Sequence, residues 1–161
     1  MSFSAYLFQN SRIPFKNEDN RAIVFIDSGV PNYDTLVQKV IPEARAILIG
    51  SQTDGIKAIT QILVNSNCQE VYIVAQGYPG CLYLGNSELS INTLIQYALE
   101  LQSWFIDHKS NLDISPRLSL YGCNLASGDV GEEFITKLSQ ITTAKIVASI
   151  NTVDQEIFSN Y

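Results

Sequence analysis

A single histidine, His108, is the scarcest chemical group in this 161-residue chain, and the three cysteines, Cys68, Cys81 and Cys123, are hardly more plentiful. An odd cysteine count with no Cys-x-x-Cys spacing speaks against a disulfide framework and a structural zinc site, and fits a reducing, cytoplasmic setting. Basic residues are also sparse: 10 Lys and Arg against 16 Asp and Glu leave a formal charge of -6, with no basic cluster anywhere. A phosphate backbone would meet neither a basic face nor a steering field, so nucleic acid is not an expected partner. Long apolar runs are missing as well. No stretch approaches the roughly eighteen residues of a membrane span, and residues 1–10 lack a basic leader. A transmembrane segment is therefore not expected, whereas peripheral membrane association is left open.

Cofactor signatures are absent too. Asp27-Ser28-Gly29 has no glycine-rich phosphate fingerprint, and Gly50-Ser51-Gln52-Thr53-Asp54-Gly55 lacks the lysine of a P-loop. Asp27 has no second carboxylate beside it to help hold magnesium. No cofactor and no metal are expected.

What the chain does have is 46% hydrophobic residues, enough for a sizeable core in one domain over 1–161, compact over about 22–149. Ala22-Ile23-Val24-Phe25-Ile26 is continuously apolar, as a strand covered on both faces requires. Residues 44–49, 71–75, 117–121 and 145–148 supply four further short strands. Helical spacing joins Tyr33, Leu36, Val37 and Val40, with Pro31 suited to a first turn, and then Ile56, Ile59, Ile62 and Leu63 behind an Asp54 cap. A long helix capped by Ser90 carries Ile91, Leu94, Ile95, Ala98, Leu101 and Phe105 inward, with one of Trp104 and Phe105 partly exposed. A last helix opens near Asp129 and turns Phe134, Leu138 and Ile141 inward. Gly77 to Gly80 reads as a turn, and 81–89 as a small hairpin beside the main sheet. The alternation predicts a three-layer α/β/α sandwich on a mainly parallel sheet. Residues 151–161 lose periodicity and read as a flexible tail or as an arm that reaches a partner.

Open parallel sheets present their useful loops beyond the carboxyl ends of the strands. Those loops and the adjoining hairpin supply a candidate binding surface of Asp27, Gln76, Tyr78, Tyr83, Cys123 and Asn124. Asp27 reads most simply as an acceptor in a turn. Cys123 has two readings: a nucleophile whose following loop offers backbone N–H groups to an oxyanion, or a buried small hydrophobe. A cysteine nucleophile needs a base. His108 lies in a polar stretch and reads as solvent-exposed, while Gln76 cannot accept a proton at neutral pH. Tyr72, Tyr78, Tyr83 and Tyr121 read either as a recognition groove or as edge packing.

The ordered combination of Val71-Tyr72-Ile73-Val74-Ala75-Gln76-Gly77-Tyr78-Pro79-Gly80, the Leu84-Gly85-Asn86 turn, the helix around 94–98 and Leu120-Tyr121-Gly122-Cys123-Asn124-Leu125-Ala126-Ser127-Gly128 resembles a known family over about 22–149. This is the uncharacterised domain found near the amino ends of large bacterial, often cyanobacterial, repeat-rich and adhesin-like proteins. That domain resembles in turn the caspase and gingipain clan of cysteine peptidases. The resemblance implies a caspase-like topology with a base after the third strand and a nucleophile after the fourth. The family's Ser-His-Gly falls on Ala75, Gln76 and Gly77, so Gln76 replaces the base while Cys123 keeps the nucleophile position. The expectation is a catalytically inactive, vestigial pair in a pseudoenzyme that binds a protein partner or forms a homo-oligomer. The alternative is a cysteine peptidase or acyl-transfer enzyme using Cys123.

Overall fold

The computed structural model describes residues 22–40, 44–106, 115–122 and 124–148; Cys123, His108 and residues 151–161, all singled out above, lie outside them. The apolar run at the start forms β1 (Ala22–Asp27), and all six of its residues are buried. It is followed by α1 (Tyr33–Lys39), β2 (Ala44–Ile49), α2 (Gly55–Val64) and β3 (Glu70–Val74). Next come three short strands, β4 (Gly77–Tyr78), β5 (Cys81–Leu84) and β6 (Ser87–Ser90), then α3 (Ala98–Ser103). The described chain closes with β7 (Arg117–Tyr121), α4 (Gly128–Thr142) and β8 (Lys145–Ala148).

Five strands form one parallel sheet in the order β2-β1-β3-β7-β8, and β4-β5-β6 form a separate antiparallel sheet. The handedness of crossovers explains where the helices lie. A right-handed connection places its helix on a face set by the direction of travel across the sheet. The step from β1 to β2 runs one way and the later three run the other, so α1 covers one face while α2, α3 and α4 share the opposite one. The buried side chains divide accordingly. Val24, Ile26, Tyr72, Val74 and Tyr121 pack with Leu36 of α1. Phe25, Ile73 and Leu120 pack with Ile56 and Ile59 of α2, Leu101 of α3 and Phe134 and Leu138 of α4. Each of these fully buried aliphatic side chains contributes roughly 1.5–3 kcal/mol relative to exposure.

Asp54 caps α2 as expected, its Oδ1 accepting from Lys57 N at 3.1 Å. The first helix starts at Tyr33, after an Asn32 with φ of 60°, rather than at Pro31. The long helix predicted from Ser90 is shorter than its apolar spacing suggests. Residues 91–97 form successive turns, and only Ala98–Ser103 is α-helical. Its inner face carries Leu94, Tyr97, Leu101, Trp104 and Phe105, and leaves Ile95 88% exposed. Tyr97 and Trp104 take inward positions because each polar tip finds a partner: Tyr97 Oη donates to Asp54 Oδ2 at 2.9 Å and Trp104 Nε1 to Thr60 Oγ1 at 2.8 Å. Both Trp104 and Phe105 are consequently buried, which corrects the expectation that one is partly exposed. Ser90 does not cap by its side chain; Thr93 Oγ1 instead accepts from Ser90 N at 2.9 Å.

Candidate functional site

β3 and β7 are adjacent and parallel, with Val74 opposite Tyr121. The pairing continues past the strand ends, since Ala75 N donates to Tyr121 O at 2.9 Å. A Cβ on Gly122 would lie 3.4 Å from Ala75 O and 2.5 Å from Leu82 Cδ2, so glycine lets the hairpin close against the β7 exit. The following loops also meet: Gly80 N donates to Leu125 O at 2.9 Å. Gln76 is exposed at the β3 exit, and Asn124 is exposed with a φ of 54° beyond the β7 exit. Cys123, between Gly122 and Asn124 in the chain, is outside the described residues.

The segment read as a turn, Gly77 to Gly80, begins as β4, which adds a third strand to the predicted hairpin. Tyr83 N donates to Gln76 O at 2.9 Å, extending that ladder by one residue. Side chains alternate across a sheet, and cross-strand partners share a face. Gly77 faces Leu82 and Tyr78 faces Cys81, while β5 pairs Cys81 with Ser90 and Tyr83 with Glu88. The inner face of this small sheet buries Leu82, Leu84 and Leu89 in the core. Its outer face carries Tyr78, Cys81, Tyr83, Glu88 and Ser90. Here Tyr78 and Tyr83 are 48% and 44% exposed, with ring centroids 5.9 Å apart and planes tilted by 59°. Cys81 is buried beneath them. Burial pushes its thiol up, opposed by the hydrogen bond from Tyr78, while the charge of Glu88 raises it further. The Tyr78 hydroxyl is itself pushed up by hydrogen bonding to Cys81 and Tyr83. This thiol is poorly suited to be a nucleophile.

The hairpin tip reaches across the sheet edge. Gly85 N donates to Asp27 Oδ2 at 2.6 Å, Asn86 N to Thr53 O at 2.8 Å, and Asp54 forms a bridge with Gly85. Gly85 has φ of 63°, and a Cβ there would collide with Thr53 O, so only glycine suits this contact. The hairpin thus runs from the β3 exit to the β1 exit. Strand order reverses between those two strands, the place where open sheets commonly receive ligands. The chain's own tip occupies it.

Asp27 therefore does not belong to the exposed face. It is 6% exposed, and its other oxygen accepts from Gly29 N at 2.8 Å, the turn role read from sequence. Tyr72 and Tyr121 are core residues beneath α1, which leaves Tyr78 and Tyr83 as the exposed members of the tyrosine set. Glu88 was missed by sequence reasoning. Its place opposite Tyr83 follows from a hairpin register centred on Gly85-Asn86. Among the described residues no three His, Cys, Asp or Glu side chains gather to hold a metal ion, and no helix is long and apolar enough to cross a membrane.

These features define an α/β/α sandwich whose sheet edge is crossed by a hairpin bearing an exposed tyrosine pair, with no evident catalytic cluster among the described residues. Residues 23–157 match the family described as a domain of unknown function, DUF4347, and the chain belongs to that family. No curated protein shows significant similarity to the chain.

Proposed function

We propose that this domain is a catalytically inactive, caspase-like module that binds a protein through the outer face of its hairpin. The observation that carries this reading is the Tyr78–Tyr83 pair, exposed on a small sheet whose inner face is anchored in the core. Tyrosines on a rigid support offer apolar contact and a polar end at little entropic cost. Gln76, in the position where the resemblance to the peptidase clan calls for a base, transfers no proton at neutral pH. The second reading, a cysteine peptidase or acyl-transfer enzyme using Cys123, is favoured by the adjacency of the β3 and β7 exits.

Selection from a displayed peptide library separates the two. Peptides enriched by the wild type and lost with the Y78A/Y83A double variant support binding by the hairpin. Peptides cleaved by the wild type and left intact by C123A would overturn the inactive reading.

A further inference from the structure

The chemistry of the hairpin's outer face is more specific than a tyrosine patch. Glu88 is directly opposite Tyr83 and half-buried, with its side chain on the face that carries the two exposed rings. Cross-strand pairing sets Tyr78 against Cys81 and Tyr83 against Glu88 on this one face. No lysine or arginine among the described residues pairs with Glu88. The chain as a whole is acidic, with a formal charge of -6. A carboxylate with no paired cation among the described residues, beside two exposed aromatic rings, is complementary to a positively charged group. Both the ring quadrupole and the carboxylate attract it.

We infer that Tyr78, Tyr83 and Glu88 receive an arginine side chain of the protein partner. The tilted pair suits a planar guanidinium, which stacks on one ring while its fork of N–H donors meets the carboxylate. A lysine ammonium is a point charge without the planar fork that stacks on a ring and pairs with a carboxylate through two parallel donors. The half-burial of Glu88 strengthens its attraction by removing part of the solvent screening. The inference rests on the protein-binding reading and narrows it to one chemical class of contact.

Two blocked pentapeptides, Gly-Ser-Arg-Ser-Gly and the same peptide with uncharged citrulline for arginine, are titrated into the isotopically labelled full chain while amide shifts are recorded. The arginine peptide is expected to move the amides of Tyr78, Tyr83 and Glu88 and to bind about tenfold more tightly than the citrulline peptide. E88Q, which keeps an acceptor for the Cys81 thiol, is expected to lose most of that preference with an otherwise unchanged amide spectrum. Y83A is expected to weaken both peptides. Equal binding of the two peptides at the hairpin would overturn the arginine assignment while leaving protein binding intact. Shifts confined to other surfaces, no shifts at all, or undiminished preference in E88Q would overturn the assignment as well.

Discussion

Asp27 holds the hairpin against the main sheet, and its replacement has a calculable consequence. One carboxylate oxygen accepts from Gly29 N at 2.8 Å and the other from Gly85 N at 2.6 Å, joining residues 58 positions apart. Hydrogen bonds to charged groups contribute roughly 1.5–3 kcal/mol each. The Gly29 bond is local and close to solvent, so water replaces much of it, and about 1 kcal/mol is a fair share. The Gly85 bond lies deeper and retains about 2 kcal/mol. Asp27→Ala is therefore expected to lower stability by about 3 kcal/mol. Asp27→Asn keeps one carbonyl acceptor but sets an amide against the second N–H, so it loses about 2 kcal/mol. Urea unfolding measures the totals, and hydrogen exchange locates them. In D27A the Gly85 amide should lose more protection than Ile73 and Leu120 at the centre of the sheet, because Asn86 N remains bonded to Thr53 O and the tip loosens instead of detaching. A loss below about 0.5 kcal/mol, within the range of ordinary surface changes, would refute the anchoring role. So would unchanged protection at Gly85.

Three further outcomes are expected. Burial pushes the Cys68 thiol from 9.0 up to about 11, so the unfolded thiol ionises first; its share of stability is present below pH 9 and lost between pH 9 and 11. Unfolding curves across that range should fall less steeply in C68A than in the wild type, and identical slopes would count against the burial argument. Trp104→Phe removes the donor to Thr60 Oγ1 and should cost about 1–2 kcal/mol, with Thr60→Val adding little in that background; full additivity in the double-mutant cycle would mean the bond is energetically idle. Ser119 Oγ is buried with no hydrogen-bond partner among the described residues, so Ser119→Ala should leave stability unchanged or raise it by up to about 1 kcal/mol, and a clear loss in thermal unfolding would show an important hydroxyl contact.

The parallel strands were legible because continuous apolar runs such as Ala22 to Ile26 have few alternatives to a doubly covered strand. Asp54 as a helix cap and Asp27 as a turn acceptor were legible for a related reason: both interact with backbone only two or three residues away. The face of α3 was not. Apolar spacing alone favours Ile95 as an inward residue, yet Tyr97 and Trp104 displace it by satisfying their polar tips on Asp54 and Thr60, 43 and 44 positions distant. The same limit applies to the tyrosines. Tyr72 and Tyr83 both stand in short strands, but one lies under α1 and the other on the outside of the hairpin, a difference set by which sheet each strand joins. Chain-local patterning thus determined the strands of the parallel sheet, most of the helices and the local contacts of Asp27 and Asp54. The union of Tyr78, Tyr83 and Glu88 on one face, and the seating of Gly85 on Asp27, were decided by tertiary structure, because a periodicity records which side of an element is apolar and carries no information about which distant element will cover it.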